Sequence, residues 1–240
     1  MSELPGPGAV DLWLLAAPTR AAAPVPAGAY AVLDDAERRR ARGFATPGGR
    51  GRYMRAHLAL RHVLARYTDR DAADLRFGRE RPQGRPVLRG LAAPVHFSLS
   101  HSHGLIAVAV ASDTVGADVQ RVCPTGTVEA CLPRLHPLER AELEALAPEE
   151  RAAVFTRLWS RKEAYLKGLG TGLSRPPRAD YLGEATLSAR TPGWSVHDVA
   201  APSGYAAATA LRAVDGTHRV TVRTVPPPAA HGRSDSTSVC

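Results

Sequence analysis

Apolar and polar positions change their period several times along this chain. Val10 to Ala16 is a short apolar run and predicts a strand. Asp34 and Glu37 stand three apart in a capping-box pattern, opening a helix that carries Arg38, Arg39, Arg40 and Arg42. Pro47-Gly48-Gly49 is expected to break that helix. From Arg50 to Tyr67 the apolar positions Tyr53, Leu60, Val63, Leu64 and Tyr67 recur at helical spacing. Val95, Phe97 and Leu99 then alternate with His96, Ser98 and Ser100, the period of a half-buried strand. Leu105 to Ala111 is an almost unbroken apolar run and predicts a buried strand. Val115 to Val119 is a third, and the short spacers predict antiparallel neighbours. Leu138–Leu146 and Glu149–Leu169 read as helices, the second with a core stripe of Phe155, Leu158, Trp159, Leu166 and Leu169. Gly168, Gly170 and Gly172 end it. Ala179 to Val225 reads as strands between Pro/Gly turns.

Residues 21–28 and 79–91 read as loops, the latter with one edge strand. Helices then strands, followed by helices then strands again, predict an α+β protein of two halves. The first half is expected over residues 1–111 and the second over 112–225. The polar stretch 226–240, opened by Pro226-Pro227-Pro228, is expected to be a disordered tail.

Composition removes several classes. With 44% hydrophobic and 22% charged residues, the chain is not a disordered one. No apolar run approaches the ~20 residues of a membrane span, and the acidic start is unlike a secretory signal. Cys123, Cys131 and Cys240 form no C-x-x-C pair, which fits free thiols and a cytoplasmic location. The net charge is +8, but 29 of the 31 basic residues are arginine, asparagine is absent and Ile106 is the only isoleucine. That bias points to a GC-rich genome and weakens any partner argument from charge alone. It also isolates the only two lysines, Lys162 and Lys167, which flank Glu163 in one segment. Arginine is a planar fork and lysine a compact point charge, so the two are not equivalent at a tight phosphate site.

Four segments carry candidate chemistry. In Gly116-Ala117-Asp118-Val119-Gln120, strand alternation puts Asp118 and Gln120 on one face, where a carboxylate suits a hard cation such as Mg2+ or lies simply at a strand end. In Trp159–Gly168, Glu163 and Lys167 are either an i,i+4 surface pair or a metal carboxylate with a phosphate-neutralising lysine. Ser100-His101-Ser102-His103-Gly104 offers hydroxyls, imidazoles and turn amides to phosphate oxygens, or two histidines to zinc, though no cysteine lies at finger-like spacing. The fourth is basic: Arg38–Arg42, Arg50, Arg52, Arg55, Arg79, Arg81 and Arg85. It could address nucleic acid, yet it is not interleaved with stacking aromatics and no helix-turn-helix signature is present.

Together these segments resemble the Sfp-type 4′-phosphopantetheinyl transferases. Three motifs stand in the family's order: FSLSHS (Phe97–Ser102), GADVQ (Gly116–Gln120) and WSRKEAYLKGLGTG (Trp159–Gly172). The resemblance implies a pair of pseudo-two-fold related α/β subdomains with coenzyme A between them. It also implies a Mg2+-dependent transfer of phosphopantetheine to a serine of an acyl or peptidyl carrier protein, releasing 3′,5′-ADP. Those carriers belong to fatty-acid, polyketide or peptide synthases. Nucleic acid and membrane are not expected partners, and a monomer is.

Residue by residue, the resemblance places Asp118 and Glu163 on the metal, with Gln120 as a third candidate. Lys162 and Lys167 would stand near the phosphates, with Lys167 facing the leaving group. His101 would bind the pyrophosphate, with Ser100 beside it. Arg85-Pro86 resembles the Gly-Lys-Pro element at the adenosine end. Arg50, Arg52 and the Arg38–Arg42 cluster would grip the 3′-phosphate. Glu139 or Glu163 would take the proton of the attacking serine. The sequence departs from the family at Gln120, where glutamate is usual. Gln keeps an oxygen but loses a charge, so water and phosphate are expected to complete the metal's shell, with Gln120 outside it. Two rival readings remain at this point, a basic nucleic-acid-binding module and a metal-dependent phosphohydrolase of coenzyme A or nucleotides.

Overall fold

The computed structural model describes residues 2–19, 25, 28–82, 84–184, 191–212 and 218–224. The expected tail 226–240 and most of the 21–28 loop lie outside them. Strand β1 (Ala9–Ala16) leads to a single turn, α1 (Ala29–Val32), then to α2 (Asp35–Arg42) and α3 (Pro47–Ala65). A hairpin, β2 (Phe77–Arg79) and β3 (Pro86–Leu88), precedes β4 (His96–Ser102), β5 (Leu105–Ala111) and β6 (Val115–Arg121). Then come α4 (Thr125–Cys131), α5 (Pro137–Glu144), α6 (Pro148–Leu169), β7 (Trp194–Val199), β8 (Tyr205–Arg212) and β9 (Arg219–Thr224). No helix among the described residues is long and apolar enough to cross a membrane.

Local signals explain most element ends. The Glu37 amide donates to Asp34 Oδ1 and the Asp34 amide to Glu37 Oε2, each at 2.9 Å, closing the capping box of α2. Pro47 does not merely end α2, as the sequence implied; it starts α3. Thr46 is the N-cap, its hydroxyl accepting from the Gly49 amide at 3.1 Å, and a first-turn proline has no amide to leave unpaired. Gly170, at φ 70°, closes α6 in the left-handed conformation that glycine adopts without strain.

The layers stack as helix, sheet, sheet, helix. The first sheet has strand order β4-β5-β1-β9 and the second β6-β8-β7. On the outer face of the first sheet, Trp13, Phe97, Ile106, Val108 and Val110 pack on Ala56, Leu60, Val63 and Leu64 of α3. Its inner face, through Leu12, Leu14, Ala107 and Ala109, meets Val115, Ala117, Val119, Ala207 and Leu211 of the second sheet. The outer face of the second sheet, through Trp194, Val196, Ala208 and Ala210, packs on Phe155, Leu158, Ala164 and Tyr165 of α6. The architecture is α+β, as expected.

Two strands depart from the expected neighbourhoods. β4 and β5 are antiparallel partners, but β6 leaves their sheet and pairs with β8 instead. β9, late in the sequence, crosses back to pair parallel with β1. A buried chain ties it there: Trp13 Nε1 donates to Tyr67 Oη at 2.8 Å, Tyr67 Oη to Asp11 Oδ2 at 2.5 Å, and Arg223 Nε lies 2.8 Å from that same oxygen.

Gly116 is where α6 comes closest to the second sheet. A Cβ there would lie 1.9 Å from Ala164 O and 2.5 Å from Gly168 N, both helix backbone atoms that cannot swing aside. Gly116→Ala is therefore expected to cost about 3 kcal/mol of stability in urea denaturation, at the upper end of ordinary overpacking. An unchanged midpoint would mean that α6 does not rest on this strand.

Candidate active site

The second sheet and α6 bring Asp118 and Lys167 together. Gly116, Asp118 and Gln120 face α6, while Ala117 and Val119 face the first sheet, as strand alternation requires. Lys167 Nζ donates to Asp118 Oδ1 at 2.6 Å and to Ala117 O at 3.2 Å. The i,i+4 surface pair with Glu163 is thus replaced by a pair across elements. Asp118 is 1% exposed. Ser100 Oγ donates to the same Oδ1 at 2.6 Å, whereas Asp118 Oδ2 is buried with no hydrogen-bond partner among the described residues. Glu163, one turn before Lys167, is partly buried. Burial raises its pKa, the charge of Asp118 raises it further, and Lys167 only partly offsets them.

An unpartnered carboxylate oxygen in the interior is costly unless a cation meets it. A buried carboxylate whose charge raises the proton affinity of a second one fits a divalent metal between them. No cluster of three or more His, Cys, Asp or Glu able to hold a metal occurs among the described residues. Mg2+ does not require such a cage, because it keeps water and substrate phosphate oxygens in its shell. Among the described residues His101 and His103 gather no further zinc ligands.

His101 lies on β4, next to Ser100. Its rim meets solvent, yet partial burial pulls its pKa down, and Lys167, His57 and Arg52 pull it further. An anion would relieve that positive crowding. Arg52 is exposed on α3, and Arg50 has a buried Nε with no hydrogen-bond partner among the described residues. A groove runs beside these groups and reaches Lys167, while Arg52 and His101 line a small separate recess. A cavity of about 600 Å³ is bounded by Glu37, Arg40, Tyr53, His57 and Pro86. A second, of about 210 Å³, shares Arg79, Pro86, Phe97 and Leu99 with it and ends on Lys167 and Gly170. The larger open depression of about 780 Å³ at Arg66–Asp74 contains none of these residues.

Four expected residues stand elsewhere or do something else. Lys162 is 2% exposed and donates to Pro177 O at 2.8 Å and Asp180 O at 2.7 Å, and it pairs with Glu139 Oε1 at 2.7 Å. Glu139 is fully buried, and it also accepts from the amides of Leu182 at 2.6 Å and His136 at 2.9 Å. The two bind α5, α6 and the 177–182 segment together and do not reach the groove. Arg85 lines the groove, but its guanidinium donates to Gly168 O at 3.0 Å and Glu80 Oε1 at 2.8 Å. It caps the C-terminus of α6, where a cation suits the helix dipole. Ser100 holds Asp118 rather than lining the groove. Sequence reasoning missed Tyr53 and His57, which form part of the groove wall, with His57 Nδ1 2.7 Å from Glu37 Oε1 and its ring tilted by 32° against that of Tyr53 at 4.1 Å. Their four-residue spacing on α3 was the available signal.

The family model of the 4′-phosphopantetheinyl transferase superfamily matches residues 114–210. That segment contains Asp118, Glu163 and Lys167. The 4′-phosphopantetheinyl transferase HetI of Nostoc sp. is 30% identical over 188 residues, covering 75% of this chain and 79% of that protein. A 4′-phosphopantetheinyl transferase of Bacillus subtilis is 34% identical over 119 residues, 50% of this chain and 52% of its own length. The Sfp protein of Bacillus subtilis is 30% identical over 125 residues, 52% and 54% of the two chains. The chain spans about half the length of these two Bacillus relatives but most of the Nostoc one. On that match, together with the motifs that the fold assembles, the chain belongs to the 4′-phosphopantetheinyl transferase superfamily and is an enzyme of that kind.

Proposed function

We propose that the chain transfers the 4′-phosphopantetheine group of coenzyme A to a serine hydroxyl of an acyl or peptidyl carrier protein, releasing 3′,5′-ADP. The observation that carries this reading is the ion pair of Lys167, which lines the smaller cavity, with Asp118, whose Oδ2 is buried with no hydrogen-bond partner among the described residues. The groove takes coenzyme A, with Arg50, Arg52 and the α2 arginines toward the 3′-phosphate and His101 and Lys167 toward the pyrophosphate. Asp118 Oδ2 and Glu163 would hold Mg2+, which supplies positive charge to the phosphoryl oxygens as bonding shifts. Lys167 neutralises charge on the leaving phosphate. Glu163 takes the serine proton directly or through water. Glu139 has its oxygens taken by Lys162 and two amides, which speaks against it in this role. The serine oxygen bonds to phosphorus as the pyrophosphate P–O bond breaks.

Residues from Arg79 to Leu99 and from Lys167 to Gly172 of one chain line the smaller cavity together, which supports a monomer. Free Cys123 and Cys131 suit a reducing cytoplasm. The arginine-rich α2 favours an acidic carrier surface over nucleic acid, because a nucleic-acid module has no use for a buried Asp118–Lys167 pair.

Incubation with coenzyme A, Mg2+ and a panel of apo-carrier proteins, read by intact mass, tests the proposal. A gain of one phosphopantetheine supports it. Cleavage of coenzyme A without any carrier gain would favour a phosphohydrolase instead. Gln120, half-buried on β6, is proposed to act on the metal through water. Gln120→Ala is expected to raise the Mg2+ concentration for half-maximal rate by about tenfold. An unchanged metal requirement at full rate would remove Gln120 from the site.

A further inference from the structure

β6 is the edge strand of the second sheet, and β4 is the edge strand of the first. They pair with no backbone ladder, yet their edges are not open. The Ala117 amide donates to Ser98 Oγ at 3.0 Å, the Val119 amide to Ser100 Oγ at 3.3 Å and the Arg121 amide to Ser102 Oγ at 3.0 Å. Ser98 Oγ returns a bond to Ala117 O at 3.5 Å, and Ser100 Oγ one to Asp118 Oδ1 at 2.6 Å. From Ser98 onward every second residue of β4 is a serine, and each accepts from an amide 19 positions later.

A backbone ladder here would fuse the sheets into one. Hydroxyls standing on the inner face of β4 satisfy the amides of β6 and leave the two sheets face to face, with Ala107, Ala109, Ala117 and Val119 packed between them. Ser98 and Ser100 are buried, so their bonds do not compete with water. The opposite face of β4 carries Phe97, Leu99 and His101, which line the groove or stand beside it. The same strand therefore lines the groove, mainly through Phe97 and Leu99 with Ser98 at its edge, and fixes Asp118 through Ser100.

We propose that Ser98, Ser100 and Ser102 form a hydroxyl seam between the halves, and that Ser98 is through it a positioning residue for the transfer reaction. The seam sets the register of β6 against β4. A slip of two residues would carry Asp118 roughly 7 Å along the strand, out of reach of Lys167 and away from His101. Ser98 touches no reacting group. Its part is to anchor Ala117, whose carbonyl also accepts from Lys167 and whose neighbour is Asp118. The catalytic consequence rests on the transferase reading; the seam itself does not.

The experiment is Ser98→Ala and Ser98→Thr in the full chain, followed by amide hydrogen exchange and steady-state kinetics. In Ser98→Ala the Ala117 amide loses its partner, and its exchange is expected to speed up about tenfold more than that of Ala109 in β5. kcat is expected to fall about tenfold while KM for coenzyme A moves less than about threefold. Ser98→Thr keeps the hydroxyl and is expected to restore both. Unchanged exchange at Ala117 would overturn the seam. Exchange raised evenly over the chain, with kcat lost only in proportion to melting temperature, would reduce Ser98 to general stability and overturn the positioning role. A wild-type chain that transfers nothing to any carrier would sink the functional reading and its catalytic consequence, while Ala117 exchange would still decide the seam.

Discussion

Replacing Glu163 by glutamine is expected to slow phosphopantetheine transfer by about a thousandfold and, at the same time, to stabilise the chain. The loss of rate follows from its two proposed tasks, a charged oxygen for the metal and a base for the serine proton. Glutamine keeps the shape and loses both. The gain in stability follows from the setting. Burial and the charge of Asp118 hold the Glu163 pKa above its ordinary value of 4.5. A carboxyl of this kind binds its proton more tightly in the folded chain than in the unfolded one. Below both pKa values it is neutral in both states and contributes nothing. As pH rises through 4.5 the unfolded chain ionises first and the folded state loses ground. Above the folded pKa that penalty is complete. Melting with a chelator present should therefore show Glu163→Gln above the wild type at pH 7, with the difference closing as the pH falls below 4.5. A variant that melts lower at pH 7 would mean that Glu163 is held by pairing rather than strained by burial. A variant that keeps its rate would remove Glu163 from the chemistry.

The trade between stability and rate explains why such a site is visible in sequence at all. Asp118 and Glu163 stand where a strand and a helix have little structural use for a carboxylate, and the glycine beside each element marks close backbone approach. Those features are local, and so were the capping box of α2, the glycine stop of α6 and the alternation of β4. Pairing across sheets is not local. β6 could not be separated from β4 and β5 by its own residues, because what sends it to β8 is a strand some ninety positions away, Val115 lying opposite Leu211. The crossing of β9 to β1 has the same cause.

The two lysines show a different failure, one that simple geometry could have prevented. Positions five apart on an α-helix are separated by roughly 140°. Lys162 and Lys167 therefore cannot share a face, and a single phosphate cannot draw both. The signal of two surviving lysines in an arginine-rich chain was real for each, but for separate reasons. Lys167 faces the groove. Lys162 needs a compact ammonium with three acceptors in a dry space, which the broader guanidinium would not fit. Arg85 was misread in a related way. The resemblance placed it at the adenosine end, and position did not reveal that its donors would be taken by the end of α6.

Lys162→Met is therefore expected to act on stability and Lys167→Met on rate. Lys162→Met leaves the fully buried Glu139 and the carbonyls of Pro177 and Asp180 without their cation. Breaking a buried pair from one side costs about 3–5 kcal/mol, which urea denaturation would register as a large drop in midpoint. Burial pulls the Lys162 ammonium below its ordinary pKa while Glu139 holds it up, so the pair survives only as a unit. Adding Glu139→Gln removes the stranded charge yet keeps an oxygen for the Leu182 amide. The double variant is expected to regain part of the loss, an interaction that two independent sites would not show. Under conditions where Lys162→Met remains folded, its kcat should stay within about threefold of the wild type, because no reacting group is touched. Lys167→Met should behave in the opposite sense. Its ammonium is partly exposed and Asp118 keeps the Ser100 hydroxyl, so the stability lost should be smaller than in Lys162→Met, but transfer should slow by about a hundredfold or more when the leaving phosphate loses its cation. If instead Lys162→Met slowed transfer while melting normally, the Lys162 ammonium would have to leave Glu139 and reach coenzyme A during turnover, and the division of labour between the two lysines would be wrong.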